Sequence, residues 1–74
     1  MKVYLVVLES NKTSVTSASF DQFAAQRLCH AIAKDSGVSH AVITVDVRAS
    51  LLPLISSLKR KCSHFRYECV RLGF

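Results

Sequence analysis

The chain alternates between short, densely apolar stretches and polar breaks, and each stretch carries its own period. Val3-Tyr4-Leu5-Val6-Val7-Leu8 is apolar at every position and rich in β-branched residues, as a strand buried on both faces is. Ser10-Asn11-Lys12 interrupts it with turn-forming residues. Thr13 to Ala18 has strand propensity but only one large apolar residue, Val15. It predicts an edge strand returning along the first, or a loop. Ser19-Phe20-Asp21-Gln22 then fits a capping box, with Ser19 as the expected N-cap of a helix. Phe20, Ala24, Leu28, Ala31 and Ile32 recur at helical spacing as its apolar stripe. Gly37 is the residue expected to end it.

A second dense stretch, residues 41–47, predicts another strand apolar on both faces, interrupted only by Thr44 and Asp46. Ser50 is placed to cap a second helix, in which Pro53 falls in the first turn, where its missing amide has no intrahelical partner to lose. Leu51, Leu54, Ile55, Leu58 and Cys62 supply the helical period. Finally Phe65, Tyr67 and Cys69 alternate with Arg66 and Glu68, the pattern of a strand with one wet face. The predicted order is β-(β)-α-β-α-β. This is an α+β fold with α/β character, one small domain over residues 1–74. The expected sheet is mixed and three- to four-stranded, packed against two helices. The first strand and the strand over 41–47 are expected to pair parallel through a right-handed crossover.

Composition narrows the class. Half of the 74 residues are hydrophobic and a fifth are charged, with two glycines and one proline, which excludes a disordered chain. The apolar run after Lys2 is too short for a membrane span or a secretory signal. Three cysteines, Cys29, Cys62 and Cys69, cannot all pair within one chain. An odd, low count argues for a reducing compartment, so the expected location is the cytoplasm of a cell or of an infected host.

The charge is local. Lys59, Arg60, Lys61, Arg66 and Arg71 stand against the single acid Glu68, so that stretch holds +4 of the net +5. A basic block at a helix end is often no more than a solvated terminus. Read functionally, it is a surface for phosphates or an acidic protein, with His64 and Tyr67 beside it. The candidate partner-binding residues are therefore Lys59, Arg60, Lys61, His64, Arg66, Tyr67 and Arg71.

Other chemistry is sparse. Cys62, His64, Cys69 and Cys29-His30 include no second ligand pair at zinc spacing, and core packing is the ordinary fate of such cysteines. Glycines only at positions 37 and 73 exclude a phosphate-binding loop. Glu9 and Asp46 are the weak metal candidates: adjacent parallel strands would bring the two carboxylates together. A strand-end Asp capping the next turn is the plainer role for Asp46. No cofactor is expected.

The sequence of a strand, an edge strand, a helix, a strand ending in Val45-Asp46, a helix and a strand resembles the later part of the ribonuclease H fold. In that family a helix carries an acid in an Ala-Glu context and the next strand ends in a catalytic Asp. Ala25-Gln26 and Val45-Asp46 stand at the matching places. Gln26 is not a carboxylate and the family's initial Asp-Gly strand has no counterpart, so the resemblance implies a degenerate nuclease or metal-binding remnant.

The leading expectation is a non-catalytic binding module that docks through its basic C-terminal surface on an acidic protein or nucleoprotein complex. Phage and mobile-element accessory proteins, among them inhibitors of host complexes, resemble it in size and plainness. Direct nucleic-acid binding through phosphates is the alternative. No membrane role is expected. Homo-oligomerisation through a sheet edge, at residues 13–18 or 65–72, is a further option.

Overall fold

The computed structural model describes residues 2–48 and 52–73. Its elements are β1 (Lys2–Leu8), β2 (Val15–Ser19), α1 (Gln22–Ser36), β3 (His40–Asp46), α2 (Leu52–Lys61) and α3 (Ser63–Leu72). The fold class is α+β, with a three-stranded antiparallel sheet in the order β2-β1-β3 and three helices.

Two expectations about topology are corrected. β1 and β3 pair antiparallel, Lys2 opposite Asp46 and Leu8 opposite His40, so the sheet is not mixed in its pairings. The physical reason is β2. The chain reverses after β1 and runs back along it, Leu5 opposite Ala18, with a bulge between Val6 and Val7. The crossover through α1 therefore starts from β2, and β3 lands parallel to β2 on the far side of β1. The second correction is the C-terminal strand. Residues 63–72 are the helix α3, because burial there follows the four-residue step from Phe65 to Cys69, both 0% exposed, while Tyr67 is exposed. Two helices become three, and the suggested sheet edge at 65–72 is no edge.

The alternation along the strands divides the core in two. Val3, Leu5 and Val7 of β1, with Ala18 of β2, share one buried cluster with Ile55, Leu58, Cys62, Phe65 and Cys69 of the α2–α3 segment. Phe20, leaving β2 on the same face, stacks on Phe65 with ring centroids 4.9 Å apart. The opposite face of β1 buries Val6, and α1, which packs on β1, buries Ala25. α1 packs along all three strands and approaches neither α2 nor α3 among the described residues. The sheet is thus the middle layer, with α1 on one side and α2–α3 on the other.

The ends of α1 differ from the sequence reading at one terminus and agree at the other. Asp21 is the N-cap, and its carboxylate accepts from the Phe23 N–H at 3.0 Å. Ser19, the expected cap, is instead fully buried at the end of β2. The apolar stripe is rotated accordingly: Ala25 is buried and Leu28, Cys29, Ile32 and Ala33 are half-buried, whereas Ala31 is exposed. Gly37 ends the helix at φ 70°, donating its N–H to the Ala33 carbonyl. Pro53 lies in the first turn of α2 as predicted, while Ser50 and Leu51 fall outside the described residues. Among the described residues no helix is long and apolar enough to cross a membrane.

Candidate docking surface

The end of α2 carries Lys59, Arg60 and Lys61 in its last turn, where cations offset the negative helix terminus. The chain then turns within one residue. Cys62 adopts an extended conformation (φ −119°, ψ 104°) and stands as the N-cap of α3 without a side-chain bond. Its N–H donates to Leu58 O at 2.8 Å and its carbonyl accepts from Arg66 N–H at 3.0 Å. The Cys62 side chain is buried in the core at this corner, so the basic end of α2 meets the start of α3. Between them lies a shallow cleft of about 360 Å³ lined by Ser56, Lys59, Arg60 and Arg66.

Glu68 decides the sign of this surface. In the sequence it is the one acid among the cations, yet its carboxylate turns inward and its side chain is 15% exposed. Oε1 accepts from Ser19 Oγ at 3.0 Å and from the Phe20 N–H at 3.2 Å. Ser19 Oγ in turn accepts from the Asp21 N–H at 3.0 Å. Oε2 lies 2.8 Å from His64 Nε2, one turn earlier on the helix. That contact is Coulombic when the imidazole is protonated, since its alignment is not that of a hydrogen bond. The network ties α3 to the exit of β2 and the entry of α1. It also turns the one acid of the stretch inward, while Arg60, Lys61, Arg66 and Arg71 stay exposed and Arg71 and Leu72 share a cleft with the exposed Asp21.

The outward face of α3 is not purely charged. Tyr67 and Val70 are 63% and 70% exposed, and Leu72 is exposed beyond them. The Arg71 guanidinium sits 5.9 Å from the centroid of the Tyr67 ring, within cation–π range. Of the nominated residues, Lys59, Arg60 and Arg66 line one cleft and Tyr67 and Arg71 lie together on α3. Lys61 is exposed at the corner, and His64 is engaged with Glu68. Val70 and Leu72 were missed by the sequence reading, because only a helical period sets Val70 beside Tyr67. The capping pattern marks Ser19 as a helix cap and does not show its bond to Glu68, a contact that spans most of the chain.

The remaining candidates separate. Glu9 N–H bonds Ser39 O at 3.1 Å, so Glu9 lies at the opposite end of β3 from Asp46, about 24 Å away at a strand's rise per residue. The antiparallel pairing removes the condition on which Glu9 and Asp46 could have met as weak metal candidates, and no metal-binding cluster of three or more His, Cys, Asp or Glu occurs among the described residues. The three cysteines are free thiols, Cys62 and Cys69 buried and Cys29 half-buried. Burial pushes the Cys62 thiol up, with Lys61 opposing. Burial also raises Cys69, Lys59 opposing and Glu68 assisting. The ribonuclease H resemblance loses its last strand to α3, and Gln26 is exposed.

The chain matches no protein family, no curated protein and no solved structure at a significant level.

Proposed function

We propose that this chain is a non-catalytic binding module that docks an acidic protein, alone or within a nucleoprotein complex, through the end of α2 and the outward face of α3. The observation that carries the reading is the inward turn of Glu68, which leaves Arg60, Lys61, Arg66 and Arg71 exposed around the apolar groups Tyr67, Val70 and Leu72. Tyr67, Val70 and Leu72 between the cations favour a protein surface, since aromatic and aliphatic anchors with arginine are the usual energetic centres of protein interfaces. A phosphate backbone has no use for Val70. The separation of Glu9 from Asp46 supports the non-catalytic part of the reading. An accessory role on the surface of a larger host complex suits a module of this kind.

The test compares wild type with an Arg60→Glu, Arg66→Glu, Arg71→Glu variant in pull-downs from the native host, with and without nuclease. All three side chains are exposed, so the variant is expected to keep its circular dichroism and melting curve. Nuclease-resistant recovery of one protein by wild type, lost in the variant, is the expected result. Recovery that disappears with nuclease, together with an affinity for DNA or RNA that falls steeply with salt, overturns the protein partner in favour of direct nucleic-acid binding.

A further inference from the structure

The sheet has two margins, and they are closed very differently. β2 is five residues long, and its pairing with β1 is bulged. α2 and α3 pack over it, and Glu68 takes the Phe20 N–H where β2 ends. Short length, a bulge and a covering element are the devices by which natural sheets blunt an edge. β3 is packed by α1, but it is neither short nor bulged. It runs for seven residues, His-Ala-Val-Ile-Thr-Val-Asp, with no proline, lysine or bulge.

Which backbone groups β3 exposes follows from its register. Glu9 N–H donates to Ser39 O and Leu8 lies opposite His40. Hydrogen-bonded pairs alternate along an antiparallel ladder, so Ala41, Ile43 and Val45 exchange bonds with β1. The N–H and C=O groups of His40, Val42, Thr44 and Asp46 therefore point away from the sheet. Among the described residues no backbone group answers them.

We infer that β3 is a homodimerisation strand, pairing antiparallel with β3 of a second copy about a two-fold axis through Ile43. Outward-pointing groups must meet outward-pointing groups, and the axis through Ile43 satisfies that rule over the whole strand. It sets His40 opposite the partner's Asp46 and Val42 opposite the partner's Thr44, with the same pairs repeated across the axis. Each end then carries an imidazole against a carboxylate, and no like charges face each other. In the single chain His40 Nδ1 lies 2.7 Å from Val38 O, while its buried Nε2 has no hydrogen-bond partner among the described residues.

The side chains fit the same axis. Ile43 meets the partner's Ile43, flanked on either side by Ala41 against the partner's Val45. These are non-hydrogen-bonded positions, where facing side chains come closest. All three residues are only half-buried in the single chain and lie on the face covered by α2–α3. Their pairing extends that core from one copy to the next. Charge does not oppose the arrangement, because the basic stretch lies with α2 and α3 over β2, at the far margin of each copy.

The inference is tested by sedimentation velocity over a wide concentration range, with amide exchange followed by NMR. A dimer is expected in which the Val42 and Thr44 amides become protected as concentration rises. The Ala41, Ile43 and Val45 amides, bonded to β1, are protected throughout. Thr44→Pro removes an N–H that bonds nothing among the described residues, so it is expected to fold and to sediment as a monomer. A charge-exchange pair gives an independent check: His40→Glu sets two carboxylates against each other at both ends of the homodimer and is expected to be monomeric alone, while Asp46→Lys removes both imidazole–carboxylate pairs and is expected to dimerise more weakly. Mixed, they restore one opposite-charge pair and keep one native pair, so a heterodimer is expected. A wild type that stays monomeric at every concentration overturns the inference. So does a dimer whose Val42 and Thr44 amides exchange freely, or a folded Thr44→Pro that still dimerises. Should Thr44→Pro fail to fold, failure of the mixed pair to associate overturns it.

Discussion

Replacing Glu68 by Ala removes the acceptor of two groups that water reaches poorly. Ser19 is 0% exposed and donates its hydroxyl to Oε1, and the Phe20 N–H shares the same oxygen. Hydrogen bonds to a charged acceptor contribute about 1.5–3 kcal/mol each. The side chain is 15% exposed, so water entering the vacated space recovers part of that loss and places both bonds near the low end. The expected loss is about 3 kcal/mol in all, out of the roughly 4–11 kcal/mol that a domain of this length commands. In a thermal melt followed by circular dichroism, the midpoint should fall by about 12–24 °C.

Glu68→Gln separates the acceptor from the charge. Its amide oxygen still receives Ser19 and Phe20, so the loss should be about 1 kcal/mol. Ser19→Ala and Glu68→Ala combined should destabilise by less than the sum of the two, with a coupling of at least about 0.5 kcal/mol, since each removes the other's partner. A Glu68→Ala variant within about 0.5 kcal/mol of wild type would refute the reasoning. Equal damage from Gln and Ala would do so as well, because the network would then not act through its acceptor oxygen.

The other expectations concern the thiols and the end of α1. Burial holds the Cys62 and Cys69 thiols above their ordinary values, so the folded chain favours the neutral form. Their contribution to stability is complete below the ordinary thiol range and is lost as pH rises from that range, where the unfolded chain gives up its protons first, to the higher values of the folded thiols. Urea melts at increasing alkaline pH should show this decline, and a Cys62→Ala, Cys69→Ala variant should flatten it; an unchanged slope contradicts the assignment. Gly37 sits at φ 70° with nothing within 4 Å of where a Cβ would stand. Gly37→Ala should therefore cost only backbone strain, about 1–2 kcal/mol in a denaturant melt, and a neutral result would mean that the left-handed cap is not needed.

Local pattern was enough to mark β1, β3 and the helical period of α2, because long apolar runs and i, i+3, i+4 spacing express burial directly. It was also enough to find Gly37, whose positive φ is a property of one residue. The stretch from Phe65 to Cys69 was legible in two ways, since apolar residues at alternate positions also include a pair four apart. Only packing chose between them, by burying Phe65 and Cys69 against the sheet and leaving Tyr67 outside. The same is true of the sheet's direction. Residues 3–8 and 41–47 are apolar on both faces whichever way they pair, and the return of the weak strand β2 along β1 decided that they pair antiparallel. That choice drew Glu9 and Asp46 apart and left the edge of β3 open. The charge of the C-terminal stretch was countable from composition alone. That its one acid faces inward, toward Ser19 and Phe20, is a contact between residues nearly fifty positions apart, and no local pattern encodes it.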